Sequence, residues 1–296
     1  MWSILGLALL SAIVLLFNNA LVYRLVPLML GMGIRFTVAG LSLLFYQFYF
    51  NRTKFKINPH LVKQYAMVCV FGFIIPQVVW GGITNYLPNV ETSLVMGLEP
   101  LTICLMLIFI YHVKVSPRQL YVLIACTTVL LIVTFFESQI ERAAIFSHLG
   151  GLTLLIIASC GYSWLIINEL VNKGEPGIMI TGVGALACGL TAFLIFVIFS
   201  KHQDYSWDIQ TILILTVLII CGEILLHRMR ANLSKKFSTV FLSTNNLFIP
   251  FALVASEVSL FSRPVDNWFF LLIIPVLFLV YAFYQEELRL SKNHKI

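Results

Sequence analysis

Glu99 is the one carboxylate in the stretch SLVMGLEPLTICLMLIFI, residues 93–110. A carboxylate among such neighbours must be neutralised, paired or facing water, because burying a bare charge is expensive. Arg35, in GIRFTVAG (33–40), poses the same question with the opposite sign. Gln77, Trp80, Asn18, Asn19, Asn245, Asn246, Tyr162 and Trp164 lie in other apolar runs and offer hydrogen bonds or ring faces to a small solute. With Glu99 and Arg35 they form the candidate substrate-binding set. Glu223 and His227 stand four residues apart, on one face of a helix. Imidazole titrates near neutrality, so this pair is a candidate proton relay.

Each candidate also has a plainer reading. Arg35 and Glu99 can be an ion pair that fixes helix register. Asn245 and Asn246 can be hydrogen-bonding glue between helices. Trp80, Tyr162 and Trp164 can be packing, and Glu223 with His227 a structural pair near a membrane interface. HExxH and the Walker A loop are absent. The expectation is therefore a non-enzyme with no metal site and no cofactor.

Of 296 residues, 60% are hydrophobic and 11% charged, against about 25% charged in soluble domains. Apolar runs of about 20 residues recur, the length that crosses a bilayer as helix. The runs are continuous rather than alternating, which argues helices, not a barrel. Ten spans are expected: 2–22, 26–50, 61–86, 88–111, 117–136, 148–171, 176–200, 208–230, 236–261 and 265–285. Turn and charge signals separate them, among them NRTKFKINP (51–59), YLPN (86–89), KVSPR (114–118), KGEPG (173–177), KHQDYSWD (201–208) and SRP (262–264). No basic segment precedes the first run, which is read as a span and not a cleaved leader.

With the N-terminus in the cytoplasm, most of the 19 Lys and Arg fall inside, at 52–63, 114–118, 173, 228–236 and 289–295. Arg24, Arg142, Lys201 and Arg263 fall outside. This bias predicts cytoplasmic termini and makes the net charge of +6 a topology signal, with no nucleic-acid partner. The six cysteines all lie in apolar runs and are expected to be reduced and buried. Pro76, Pro100, Pro250 and Pro275 lie inside spans as candidate kinks. Thr181, Ala185 and Gly189 form a small-residue stripe for close helix packing.

At about 1.5 Å per residue, Glu99 lies roughly 16 Å and Arg35 roughly 12 Å below the outer face of a core about 30 Å thick. Similar depth predicts that Glu99 faces a wet central cavity opposite Arg35. The sequence also echoes itself. VAGLSLLFY (38–46) falls against ACGLTAFLIF (187–196), aligning Gly40 with Gly189, and TSLVMGLEP (92–100) falls against STVFLSTNNLFIP (238–250). Two five-span halves, 1–145 and 146–296, follow. Five is odd, so the second must insert inverted, a plan that places a solute site between the halves near the midplane.

GIRFTVAGLSLLF (33–45), NYLPNVETSLVMGLEPL (85–101), VSPRQLYVLIACTTVLLIV (115–133), GGLTLLIIASCGYSWLIINEL (150–170) and LSKKFSTVFLSTNNLFIPFALVASEVSLFSRP (233–264) resemble the EamA family of the drug/metabolite transporter superfamily. The resemblance runs the length of the chain. It implies transport of small metabolites such as amino acids, nucleosides, related solutes or drugs.

The expectation is thus an all-α membrane protein of ten transmembrane helices in two inverted five-helix repeats. It would be a multi-pass secondary transporter of the plasma membrane (the bacterial inner membrane), moving a small metabolite by alternating access. The alternatives are a membrane-embedded enzyme acting on a lipid, or a channel or scaffold. The expected partners are a small-molecule substrate and the bilayer; the sequence sets no oligomeric state.

Overall fold

The computed structural model describes residues 6–7, 9–11, 13–14, 27–49, 66–83, 97–137, 153–154, 156–167, 175–199, 208–251, 271 and 273–293. Among them the chain is all-helical, with no strand. The elements are α1 (Leu28–Tyr49), a π-helical stretch (Val68–Ile74) running into α2 (Ile75–Ile83), α3 (Glu99–Phe109), α4 (Pro117–Glu137) and α5 (Ile156–Ile167). There follow α6 (Glu175–Phe199), α7 (Ile209–Val217), a second π-helical stretch (Leu218–Leu225), α8 (Leu226–Leu233), α9 (Thr239–Ser243), a 3₁₀ turn (Thr244–Phe248) and α10 (Ile273–Asn293). The described helices lie inside the segments marked from the sequence to within one residue, except that α8 runs on to Leu233 and α10 to Asn293.

Three runs, Met29–Tyr49, Ile178–Phe199 and Thr211–Leu233, are long and apolar enough to cross a membrane. Val68–Val79, Glu99–Phe109 and Ile156–Ile167 are apolar but shorter. Polarity is distributed inside out. Leu41 and Phe45 on α1, Leu194 and Val197 on α6, Ile209 on α7 and Phe278 on α10 are exposed, while Arg35, Glu99, Glu223, His227, Arg230, Asn245 and Asn246 are buried. An aqueous surface would favour the reverse.

One apolar cluster gathers Ile103 and Leu107 from α3, Leu123 from α4, Ile166 and Ile167 from α5, Phe241 from α9 and Phe283 from α10. Another gathers Met32 and Phe36 from α1, Phe73 from the first π stretch, Leu165 from α5, and Ile180 and Ala185 from α6. Tyr162 packs against both. Of the cysteines, Cys69, Cys104, Cys126 and Cys188 are buried and Cys160 and Cys221 half-buried, all as free thiols.

The backbones of α1 and α6 touch at glycines. A Cβ on Gly40 would stand 2.5 Å from the Leu186 nitrogen, and one on Gly189 would stand 2.4 Å from the Thr37 nitrogen. Gly33 lies under the ring of Phe193, and Gly182 under Leu43 and Leu44. Rising along α1 therefore means descending along α6, so the two run antiparallel. The contacts are also reciprocal. A shift of 149 positions (40 to 189, 33 to 182) turns Gly40–Leu186 into Gly189–Thr37, and Gly33–Phe193 into Gly182–Leu44.

The π stretches repeat nearly so, starting 150 positions apart (68 to 218) and ending 151 apart (74 to 225). The Ile75 N–H bonds to Val70 O, and the Leu226 N–H to Cys221 O, each one residue farther back than in an α-helix. In the first stretch Pro76 supplies a reason: it has no N–H to offer the preceding turn. Each stretch has a glycine against a neighbour. A Cβ on Gly72 would meet Leu165 Cβ at 2.9 Å, and one on Gly222 would meet Val14 Cγ2 at 2.9 Å.

Candidate functional site

Glu99 does not sit mid-helix as its sequence context predicts. Gly97 is helical, Leu98 forms a turn, and α3 begins at Glu99 with Pro100 in its first turn. Leu98 is the N-cap, and its carbonyl accepts from Leu101 N and Thr102 N, both at 3.1 Å, and from Thr102 Oγ1 at 3.2 Å. The carboxylate thus stands at a helix N-terminus, where the peptide dipoles favour negative charge.

A second irregular segment meets it. The 3₁₀ turn Thr244–Phe248 interrupts the helix ahead of Pro250 and carries Asn245 and Asn246. Asn246 Nδ2 donates to Glu99 Oε2. Asn245 Nδ2 donates to Asn246 Oδ1 at 2.7 Å and to Ser11 Oγ at 3.3 Å. Each amide polarises the next donor toward the carboxylate. All four residues are buried. Glu99 Oε1 is buried with no hydrogen-bond partner among the described residues.

Arg35 is not the partner of Glu99. Its Nε donates to Glu223 Oε1 at 2.8 Å, and its Nη2 reaches the same oxygen. His227 Nε2 lies 3.5 Å from Glu223 Oε2. Similar depth pairs Arg35 with Glu99 on the sequence alone, but depth does not say which way a side chain points. Glu223 and His227 are deeply buried within the protein, and the relay pair includes Arg35.

Arg230 is the residue missed from the sequence. It was counted among cytoplasmic loop charges, yet it is buried. Its Nη1 donates to the Tyr162 hydroxyl at 3.1 Å, and its charge is felt at Glu99. The Arg230 guanidinium also lies 5.8 Å from the centre of the Tyr162 ring. The signal was present: Glu223, His227 and Arg230 follow the i, i+4, i+7 spacing of one helix face. Neighbouring Arg228 points elsewhere, with its guanidinium 4.6 Å from the Tyr46 ring centre.

The other candidates are Gln77, Trp164, Trp80, Asn18 and Asn19. Gln77 on α2 is half-buried. Trp164 is half-buried against the cluster of Phe36 and Phe73. Trp80 lies on α2, its side chain outside the described residues, as are Asn18 and Asn19. Among the described residues no group of His, Cys, Asp and Glu is arranged to hold a metal ion.

The EELR sequence at 286–289 is partly buried. Glu287 accepts from Ser238 N at 2.7 Å, Ser238 Oγ at 2.9 Å and Gln119 Nε2 at 3.1 Å, tying α4, α9 and α10 together. Glu286 pairs with Arg118 and Arg289.

No protein-family model matches the chain, and no curated protein matches its sequence. Sixteen chains of solved structures do match. One, described only as a crystal structure of a protein, superposes with a TM-score of 0.71 over 93% of this chain and 96% of that one, at 14% identity. At that identity the likeness concerns fold alone.

Proposed function

We propose that the chain is a secondary transporter of a small metabolite, built as two inverted five-helix repeats (1–145 and 146–296) with both termini cytoplasmic. Its solute site lies at Glu99, Asn246 and Asn245, near the midplane of the plasma membrane. The observation that carries this reading is the meeting of two irregular helical segments. One is the helix start at Leu98–Pro100, the other the 3₁₀ turn Thr244–Phe248 ahead of Pro250, at corresponding places in the two halves, and they join through Glu99 and Asn246. Discontinuous helices in corresponding positions mark the binding site in transporters of inverted design. An unpartnered carboxylate oxygen is an acceptor for an ammonium, amine or hydroxyl group of the solute, or for a coupling proton.

The inverted arrangement draws support from the α1–α6 crossing. A rotation that exchanges two antiparallel helices must have its axis across them, and such an axis inverts one half relative to the other. The reciprocal glycine contacts and the paired π stretches obey one such exchange. The apolar outer surface fits a hydrocarbon surround. The resemblance to the EamA family, as a divergent member, agrees with this design and supplies amino acids, nucleosides and related solutes as the first candidates. The test is flux into proteoliposomes across a panel of those solutes, with and without a pH gradient. Saturable flux of at least one solute is expected; none above protein-free vesicles for any solute would remove the reading.

A further inference from the structure

Where the π stretches meet α1 and α6, the two related contacts differ in kind. The shift of 149 that relates these helices carries Arg35 onto Gly184, and the shift of 150 that relates the π stretches carries Phe73 onto Glu223. In the first half, Phe73 lies directly on Gly184: a Cβ there would stand 3.0 Å from both Cδ2 and Cε2 of the ring. In the second half the corresponding place is filled by the Arg35–Glu223 ion pair. Phe36 sits beside both contacts, edge-to-face with Phe73 at 5.8 Å between centroids and 4.9 Å beneath the Arg35 guanidinium.

The two contacts differ in kind. A ring on a glycine is apolar and non-directional, and its atoms can slide while staying in contact. An ion pair is directional: it holds at one geometry, and parting it in a low-dielectric interior is costly unless each charge keeps another partner. Here each charge does. His227 lies on the same helical run as Glu223, one turn on, and travels with it. Phe36 is the chain neighbour of Arg35 and travels with it. Separation of α1 from the second π stretch therefore leaves Glu223 with His227 and Arg35 with Phe36.

We infer that Arg35 and Glu223 are positioning residues that form the releasable contact of the transport cycle. They hold the second π stretch against α1 in the conformation seen here and part when that half rocks, while Phe73 on Gly184 remains the permanent contact of the other half. The inference rests on the inverted-repeat transporter reading, but its readout does not require a known solute.

The test uses the full chain in nanodiscs and amide hydrogen exchange over 218–233 and, as the internal reference, over 68–83. Arg35→Gly with Glu223→Phe rebuilds in the second half the contact made by Gly184 and Phe73. Exchange over 218–233 is expected to slow about ten-fold, toward that of 68–83, with the reference unchanged. Arg35→Gln with Glu223→Gln keeps the shapes and removes the charges. It is expected to speed exchange over 218–233 about ten-fold, again with the reference unchanged, and it decides the matter if the first variant does not fold. Unchanged exchange over 218–233, or equal change over both segments, would overturn the inference. Failure of every solute in the flux panel, with these exchange effects present, would instead count against the transporter reading alone.

Discussion

Arg35 and Glu223, 188 positions apart, meet as a buried ion pair through Nε and Nη2 on a single carboxylate oxygen. Neither charge is exposed to water, so truncating one leaves the other with weaker neighbours than an opposite charge: Arg35 with the Phe36 ring, Glu223 with His227. Glu223→Leu should destabilise the fold by about 3–5 kcal/mol, the range for breaking a buried pair from one side. Arg35→Leu with Glu223→Leu should recover most of that loss, since an apolar pair carries no stranded charge. Thermal unfolding in detergent measures both. A double variant no better than the single one would mean that the pair is not the main partner of either group.

The glycine crossing gives a paired prediction. Gly40→Ala and Gly189→Ala each place a methyl group within 2.5 Å of backbone, which cannot rotate away. Each should cost about 1–3 kcal/mol, the range for overpacking, and the two losses should be similar because the contacts are reciprocal. Gly6→Ala is the control: its Cβ would meet only Met229 Cε at 3.8 Å, and its unfolding temperature should match that of the unsubstituted protein.

Ser238 caps α9 by accepting from Phe241 N at 3.3 Å while donating to Glu287. Ser238→Ala should cost about 1 kcal/mol, as for other helix caps. It should also loosen the end of the bundle that Glu287 ties together, read as faster hydrogen exchange at 239–243. Ser238→Thr keeps the hydroxyl and should leave both quantities near normal.

Inverted insertion has its own readout. Single cysteines at 54 and 235 should react with a membrane-impermeant thiol reagent only from the cytoplasmic side, and one at 201 only from outside. Labelling of 54 and 201 from the same side would contradict the ten-span arrangement.

The all-helical class was legible because continuous apolar runs admit little else, and among the described residues the helices lie in those runs. The antiparallel glycine contact was legible in part: the echo aligned Gly40 with Gly189, and the small-residue stripe at 181, 185 and 189 pointed to close packing. Which buried charges meet was not legible. Rise per residue gives height along a helix but not the direction of a side chain, so Arg35 was matched to Glu99 and not to Glu223. Arg230 was misplaced for a related reason. It neighbours Arg228, a charge that does face outward, and hydropathy weighed the two alike. The π stretches leave no periodic mark in a segment apolar on every side, although Pro76 and the glycines 72 and 222 stood at their positions. The break at Leu98 was signalled by Pro100, which starts a helix as readily as it kinks one.

The central claim is that Glu99, oriented by Asn246, is the solute-contacting group of a transporter. Glu99→Gln keeps the shape and the Asn246 hydrogen bond but removes the charge, and a neutral amide at this depth is cheaper to bury than a carboxylate. The direct measurement is initial flux in proteoliposomes of the first solute found to be transported, for the unsubstituted protein and for Glu99→Gln at equal reconstituted amounts. At least a ten-fold loss of flux (about 1.4 kcal/mol) is expected, with an unchanged or raised unfolding temperature. Full flux by Glu99→Gln, at unchanged apparent affinity and pH dependence, would contradict it.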